Sequence, residues 1–259
     1  MTQEELRLFL IKALLKENPE YENMRVPTQE TEQQQLLRGL MNIRPPRPIG
    51  KDFLQAQDTY LQHATASKGI AHLSDLTPVK PGLYLWQGDI TTLCCDAIVN
   101  AANSGMTGCY IPNHRCIDNA IHTYAGLQLR LTCAELMDKQ KHPEPVGQAK
   151  LTPAFNLPCR YILHTVGPII TGKVTERDKQ ALASCYRSCL ETASSHQLES
   201  VAFCCISTGE FHFPNELAAQ IAVRTVRDFL RQETSVRKVI FNVFKDKDAE
   251  IYRQLLKTD

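Results

Sequence analysis

The spacing of apolar positions changes about a third of the way along the chain. Up to residue 77, apolar side chains recur every three or four positions, which is the period of an amphipathic helix. The predicted helices are residues 2–16, 31–43 and 51–66. Three prolines between residues 44 and 48 separate the last two helices, because proline lacks a backbone donor and restricts the residue before it. We therefore predict a helical extension over residues 1–77.

From residue 78 onward, short apolar runs alternate with amphipathic segments. The predicted strands are residues 83–87, 97–100, 161–166, 201–206 and 238–244. The predicted helices are residues 116–139, 176–196 and 215–231, with a last helix from residue 246. Because the strands are almost continuously apolar, helices should cover both faces of their sheet. We predict an α/β fold over residues 78–259, a three-layer α/β/α domain with a mixed, largely parallel sheet, on which the helical extension packs.

Charge and composition narrow the classes of partner. Lys and Arg total 29 against 28 for Asp and Glu, and no basic cluster is interleaved with aromatic residues, which argues against RNA or DNA binding. At a formal net charge of +1, a phosphate-bearing ligand would have to be held by local geometry. No apolar run reaches the roughly 20 residues of a membrane span. The charged N-terminus lacks the features of a signal peptide, so we expect a cytoplasmic protein.

The ten cysteines of the chain need a different explanation from disulfides, which are rare in the cytoplasm. Free cysteine packs as a small hydrophobic residue and is commonly buried. We expect this role for Cys94, Cys95, Cys185, Cys189, Cys204 and Cys205.

Three polar segments follow predicted strands, at residues 88–91, 96–104 and 206–211. Ligands of open α/β sheets bind beyond the carboxyl ends of the strands. Together with residues 164–168, which read His-Thr-Val-Gly-Pro, these segments resemble the motif set of macrodomains, a family that binds ADP-ribose. The resemblance extends from about Leu83 to the C-terminus and implies a three-layer α/β/α fold.

The resemblance implies a role for each segment. Asp89 would accept a hydrogen bond from the adenine amino group, Ile90 would line the adenine pocket, and Asn103 would bind the distal ribose. The diphosphate would lie along a loop made of Ser207, Thr208, Gly209, Glu210 and Phe211. Such a loop before a helix offers backbone amides to phosphate without cationic side chains. From the residues alone, Asp89 and both Asn100 and Asn103 could equally shape turns, and the loop could be an ordinary connection.

Residues 105–122 differ from most macrodomains, in which a glycine run precedes V-D-G-A-I-H. The ending is kept as residues 117–122, but the glycine run is replaced by a short loop with Cys109, His114 and Cys116. This resembles a zinc-containing branch of the family. Thiolates with one imidazole suit Zn²⁺, and three ligands leave the open position typical of a catalytic site. From the spacing alone, a loop without metal is the alternative.

Asp118, two residues beyond Cys116, opens a predicted helix. It could merely complement the helix dipole, or it could act as a general base or orient the ribose. His122 and His164 lie in apolar surroundings and are expected to be core residues.

Two functions remain open at this point. The resemblance favours a zinc-dependent hydrolase, with one Zn²⁺ per chain and with Asn103 and Asp118 in catalysis, that removes mono-ADP-ribose from proteins. The alternative is a non-catalytic module that recognises ADP-ribose and carries a structural zinc. The resemblance also implies a sirtuin-type ADP-ribosyltransferase and a lipoylated carrier protein as partners. The helical extension contains no ligand cluster and is expected to support the domain or to dock a partner.

Overall fold

A seven-stranded mixed sheet forms the centre of the structure, a computed structural model that describes residues 1–21 and 23–257. Its strands, in the spatial order β2-β3-β9-β8-β5-β7-β6, are numbered along the chain. They are β2 (Pro78–Lys80), β3 (Leu83–Gln87), β5 (Ala97–Ala101), β6 (Ala149–Pro153), β7 (Tyr161–Thr165), β8 (Ser200–Phe203) and β9 (Lys238–Val243). The five central strands run parallel, and β2 and β6 pair antiparallel at the two edges. Two short strands, β1 (Ala71–His72) and β4 (Leu93–Cys94), pair separately.

The described part of the chain contains eight α-helices. They are α1 (Gln3–Lys16), α2 (Glu30–Ile43), α3 (Lys51–Ser67), α4 (Ile117–Ala125), α5 (Leu127–Gln140), α6 (Glu176–Ser195), α7 (Asn215–Leu230) and α8 (Asp246–Lys257). Among the described residues, no helix is both long and apolar enough to cross a membrane.

Strand β5 shows why the sheet needs cover on both faces. Ala97, Ile98, Val99 and Asn100 are all fully buried, although consecutive side chains of a strand point to opposite faces. Helices α6, α7 and α8 pack against one another in one helical layer, while α4 and α5 pack against β5 and β6. The predicted three-layer α/β/α fold, with its mixed, largely parallel sheet and its N-terminal helices, is confirmed.

The N-terminal helices have an apolar core of their own. Leu10 and Ile11 of α1 and Leu37 of α2 are almost completely buried there. Leu127 of α5 belongs to the same cluster, and the side chain of Gln57 on α3 accepts a hydrogen bond of 2.9 Å from its backbone N–H. Apolar packing and a buried polar contact therefore attach the extension to the sheet domain.

Several elements differ from the sequence prediction. The single helix predicted over residues 116–139 is two helices, because Gly126 adopts φ 98° between them. The segment up to residue 77 is not only helical, since it also contains the two-residue strand β1. The antiparallel edge strands β2 and β6 were not predicted; their residues are largely exposed or half-buried and lack a continuous apolar run. Of the six cysteines expected in the core, Cys94 and Cys205 are only half-buried.

The fold requires a glycine at position 126, and this requirement can be tested. A Cβ atom there would lie 2.6–3.0 Å from the side chains of Gln128, Gln57 and Asn156, and the positive φ disfavours any other residue. We expect Gly126→Ala to lower the free energy of unfolding by roughly 1–3 kcal/mol, measured by urea unfolding. Gly172→Ala, where a Cβ would meet open space, is the control and should change little. Equal stability of the two variants would contradict this account.

Candidate functional site

The polar segments singled out in the sequence lie beyond the same edge of the sheet. Asp89 follows β3, Asn103 follows β5, and residues 207–211 follow β8, all at the carboxyl ends of parallel strands. In the sheet, β8 and β9 lie between β3 and β5. The loop with Ser207 therefore follows a strand that stands between those carrying the other two segments.

Asp118 is a buried carboxylate in the first turn of α4, and two asparagines hold it. Its Oδ1 accepts a hydrogen bond of 2.8 Å from Asn100 Nδ2, and its Oδ2 accepts one of 3.2 Å from Asn103 Nδ2. Asn103 also donates to the carbonyl of Gly108 at 3.1 Å, and its Oδ1 accepts from the N–H of Gly105. These bonds join the end of β5 and the start of α4 to the loop that carries Cys109, His114 and Cys116, the Cys/His loop.

The surroundings of Asp118 favour its protonated form more than water does. Burial raises the pKa of Asp118 to about 6, although the hydrogen bond from Asn100, the charge of Arg130 and the hydrogen bond from Asn103 all lower it. A carboxyl group with this pKa is mostly ionised at pH 7 and still basic enough to accept a proton.

Two neutral histidines lie beneath this carboxylate, and both are buried as predicted. Burial lowers the pKa of His164 to about 3 and that of His122 well below its usual value. His164 Nδ1 accepts from Asn100 at 3.1 Å, so its Nε2 donates to Thr152 Oγ1 at 2.9 Å. His122 Nε2 lies 3.6 Å from Asp118 Oδ1. Cys133 is near both rings, but the ring nitrogens of His164 are already engaged, so this group is a poor metal site.

The three residues predicted to bind metal do come together. The ligand atoms of Cys109, His114 and Cys116 all lie within 4.8 Å of one another, and the three side chains are half-buried. Cys109 Sγ is 3.5 Å from His114 Nδ1. Cys116 is the N-cap of α4, where its Sγ accepts from the backbone N–H of Asn119 at 3.4 Å. In the described chain no fourth Cys or His joins this group.

The chemistry of this donor set fits Zn²⁺. Burial raises the pKa of the Cys116 thiol to about 12, and the neighbouring Cys109 and Asp118 contribute to the rise. A coordinated metal would stabilise the thiolate form of Cys116, because the charge of the cation compensates that of the sulfur. Two thiolates and one imidazole match the soft donors that Zn²⁺ prefers.

Residues 207–211 approach the Cys/His loop from the next strand. Glu210 Oε1 lies 3.7 Å from Nε2 of His114, the ring nitrogen other than the one near Cys109. Ser207 has φ 64° and is buried, and its carbonyl accepts from the N–H of Phe213. In the part of the chain described, the amides of Gly209, Glu210 and Phe211 donate to no protein acceptor.

At the opposite end of this edge, Asp89 is already engaged by protein donors. Its Oδ1 accepts from the N–H and the hydroxyl of Thr91, and Lys68 Nζ lies 2.9 Å from its Oδ2. Burial alone would raise the pKa of Asp89, but the hydrogen bonds from Thr91 and Lys68 outweigh it and lower the pKa. The side chain of Ile90 is in the main core, so only its backbone and the surface above it are available to a ligand.

Sequence reasoning missed the residues that support these segments from a distance. Lys68 at the end of α3 reaches Asp89 and also lies 3.3 Å from the ring centre of Tyr124. Arg38 and Asn42 of α2 contact the Cys/His loop and the start of α4. Each is a polar residue on an amphipathic helix, and no local signal distinguishes it from its solvent-exposed neighbours.

Comparison with known proteins agrees with the fold. A family model for the Macro domain matches residues 99–222, which include Asn103, the Cys/His loop and the loop after β8. The chain belongs to the macrodomain family. A protein of Treponema medium called a protein-ADP-ribose hydrolase is 56% identical over 99% of this chain and 100% of its own length. A Staphylococcus aureus protein of the same name is 47% identical over 97% of this chain and 95% of its own.

Solved macrodomain structures are similar over most of the chain. An Oceanobacillus iheyensis macrodomain variant with bound ADP-ribose is 36% identical, with a TM-score of 0.63 over 70% of this chain and 96% of that one. A Trypanosoma brucei macrodomain in complex with ADP-ribose is 29% identical, with a TM-score of 0.66 over 81% of this chain and 92% of its own.

The raised pKa of Asp118 has a consequence for stability. Its folded-state pKa of about 6 exceeds the model-compound value of 3.8, so ionisation costs folding free energy, and the cost grows as the pH rises from about 4 to about 6. Asp118→Asn removes this pH-dependent cost. We expect the difference in unfolding free energy between variant and wild type to be about 1 kcal/mol more favourable to the variant at pH 7 than at pH 5.

Urea unfolding of the metal-stripped proteins at the two pH values measures this difference. Asp138→Asn, which changes an exposed carboxylate, is the control. If the stability difference for Asp118→Asn were the same at both pH values, the environment assigned to Asp118 would be wrong.

Proposed function

We propose that the protein is a zinc-dependent ADP-ribosylhydrolase that removes mono-ADP-ribose from modified proteins. The observation that supports this most is the joint position of Cys116 and Asp118. Cys116 caps α4, and Asp118 lies in the first turn of the same helix with its Oδ2 bonded to Asn103. A candidate metal ligand, a candidate base and a candidate ribose-binding amide are thus held against one another.

The order of the strands supports the way in which ADP-ribose would lie on the sheet. From β3 to β5 the sheet advances by three strand spacings, roughly 14 Å. Adenine would bind at Asp89 and Ile90, the diphosphate along Ser207, Thr208, Gly209, Glu210 and Phe211, and the distal ribose near Asn103. This order follows the covalent order of the ligand, because the loop after β8 stands between the other two segments.

The free amides of the loop after β8 support diphosphate binding. Three consecutive N–H groups, from Gly209 to Phe211, have no protein acceptor in the described chain, and Gly209 has open space around it. Amides that converge on an anion bind phosphate without cationic side chains. A chain with a net charge of +1 can therefore hold a doubly charged ligand at this position.

Cys109, His114 and Cys116 would hold one Zn²⁺. When bound, the metal supplies a Lewis acid beside the distal ribose and leaves a coordination position open to solvent or substrate. Glu210, next to Nε2 of His114, would orient that ring, as carboxylates commonly do for metal-bound histidines.

Asp118 and Asn103 would act on the reacting bond. Hydrolysis adds water across the bond between the distal ribose and the protein side chain: the water oxygen bonds to the ribose carbon, the bond from that carbon to the side-chain atom breaks, and a proton equal to the one lost by the water ends on the leaving side-chain atom. Asp118 would take the proton from the water, for which a carboxylate with a pKa of about 6 is suited. Asn103 would hold the ribose through its amide, exchanging one of its present contacts for the ligand.

A non-catalytic module that recognises ADP-ribose, with zinc as a structural clip, is the alternative. Structural zinc sites are almost always closed by four protein ligands, whereas the described chain supplies three Cys and His ligands here. A buried carboxylate with a raised pKa is also unnecessary for recognition alone. Both observations favour hydrolysis.

The partners follow from the same proposal. Relatives named protein-ADP-ribose hydrolases support a mono-ADP-ribosylated protein as substrate. A sirtuin-type transferase and a lipoylated carrier protein enter through the family resemblance alone. The free state of all ten cysteines suits a cytoplasmic location.

Replacing Asp89 tests the adenine end. We expect Asp89→Ala to weaken ADP-ribose binding by roughly tenfold to a hundredfold, because it removes a charged hydrogen-bond acceptor. Isothermal titration calorimetry measures this, and Asp228→Ala, at an exposed carboxylate of α7, should leave the affinity unchanged. Unchanged affinity in Asp89→Ala would place adenine elsewhere.

Two further variants separate metal binding from proton transfer. We expect Cys116→Ala to lose both the metal and hydrolysis, and Asp118→Ala to keep the metal and to lose most turnover. Elemental analysis and release of label from an ADP-ribosylated protein measure the two properties. Cys94→Ala removes another half-buried thiol and should affect neither.

Full turnover by a folded, metal-free protein would refute the zinc-dependent mechanism. A metal-loaded wild type that binds ADP-ribose yet releases no label from a panel of linkages would favour the recognition module.

A further inference from the structure

Arg38 of α2 lies outside the motifs singled out in the sequence but reaches the Cys/His loop directly. Its Nη2 donates to the carbonyl of His114 at 3.0 Å, and its Nε and Nη2 donate to Oδ1 of Asn119 at 3.2 and 2.8 Å. The side chain is half-buried, and in the described chain it has no carboxylate partner. Its guanidinium therefore donates hydrogen bonds to neutral oxygens of the Cys/His loop and of α4.

Asn119 connects Arg38 to the rest of the Cys/His loop. It is fully buried, and Arg38 fixes its amide so that Nδ2 points at the carbonyls of Cys109 and Ile111, at 3.4 and 3.0 Å. Its backbone N–H donates to Cys116 Sγ. Arg38 and Asn119 together thus contact all three candidate metal ligands, either at the backbone carbonyl or at the sulfur.

The surface of α2 also fits the tip of the loop closely. Asn42 Oδ1 accepts from the N–H of Asn113, which has φ 56°. A Cβ on Gly39 would lie 3.3 Å from the side chain of Asn113 and 3.7 Å from Pro112. The end of α2 is itself held by Arg130, whose Nη1 donates to the carbonyls of Asn42 and Arg44 at 2.6 Å each.

From these contacts we infer that Arg38 is a positioning residue of the metal centre, and that the N-terminal helices are part of that centre. Arg38 holds the carbonyl of His114 directly and, through Asn119, the carbonyl of Cys109 and the sulfur of Cys116, so that the three ligands are held together before the metal arrives. The inference rests on the proposed zinc site. It goes beyond a general supporting role for residues 1–77, because it assigns the effect to one guanidinium and one relay, Asn119.

The test compares Zn²⁺ affinity in full-length variants. Metal-free protein is titrated with Zn²⁺ in competition with a chromogenic chelator. We expect Arg38→Ala to bind Zn²⁺ roughly tenfold to a hundredfold more weakly than wild type, the usual cost of losing a partner that orients metal ligands. The Zn²⁺ affinity of Arg38→Lys should lie between those of wild type and Arg38→Ala, because an ammonium group keeps the charge but cannot reproduce the forked contact of the guanidinium. ADP-ribose affinity of the metal-free protein should stay within about twofold.

Arg7→Ala is the matched control. Arg7 is a buried arginine of the same helical bundle, bonded to Gln33 and Glu30 at 2.9 Å each, and it does not touch the loop. Its loss should destabilise the bundle and leave Zn²⁺ affinity unchanged. If Arg7→Ala weakened Zn²⁺ binding as much as Arg38→Ala, the effect would be general destabilisation and the inference would be wrong.

A double-mutant cycle tests the relay through Asn119. If Arg38 acts through it, the combined loss of Zn²⁺ affinity in Arg38→Ala with Asn119→Ala should be clearly smaller than the product of the single losses. In metal-free Arg38→Ala, hydrogen exchange at the amides of Asn113 and His114 should also be faster than in wild type. Wild-type exchange rates together with wild-type Zn²⁺ affinity would overturn the inference.

The outcomes also separate this inference from the proposed function. A wild-type protein that binds no Zn²⁺ would refute the metal site itself. If the wild-type protein binds Zn²⁺ tightly and Arg38→Ala binds it with the same affinity, only the role of Arg38 is refuted.

Discussion

The buried carboxylate of Asp118 is the group around which the candidate site is arranged. Burying an ionisable group costs several kcal/mol unless polar partners compensate it. Asn100 and Asn103 supply hydrogen bonds from the end of β5 and the segment after it. The compensation works only if the first turn of α4 stays against that strand, so the position of Cys116 at the helix start is determined as well.

Arg130 connects this centre with the N-terminal helices. It is 3% exposed, and its charge lowers the pKa of Asp118 while its Nη1 donates to three carbonyls at the end of α2. Its guanidinium also lies 4.3 Å from the ring centre of Tyr110 in the Cys/His loop. Arg130 therefore interacts with Asp118, with the Cys/His loop and with the end of α2. Through these contacts it links the N-terminal helices to the sheet domain.

The two ends of the candidate site differ in the interactions that they offer to a ligand. Around Asp118 and the Cys/His loop, buried groups are held by many fixed hydrogen bonds. In the loop after β8, the amides of Gly209, Glu210 and Phe211 have no acceptor in the described chain, and Glu210 has an exposed side chain. Such a division suits a ligand whose anionic middle is held by backbone donors and whose distal end must be held rigidly for chemistry.

Much of the fold could be predicted from the sequence because it depends on local patterns. Apolar runs of strand length gave β3, β5, β7, β8 and β9, and helical spacing gave most helices. The short edge strands β2 and β6 have no such pattern, and the break between α4 and α5 depends on the positive φ of Gly126, which apolar spacing does not reveal. The side chains of Gln57 and Asn156, which crowd this position, come from far away in sequence.

The candidate site shows the same limit. The types and spacing of Cys109, His114, Cys116 and Asp118 are local, so the sequence by itself determined which residues could bind a metal and which carboxylate stands beside them. Only the tertiary structure decided that Asp118 is buried with a raised pKa, that His122 and His164 lie beneath it, and that Arg38 reaches the loop. The hydrogen bonds that hold Asp118, His164 and Arg38 in place join residues 15 to 81 positions apart in the chain, and packing creates these contacts, whereas local spacing does not encode them.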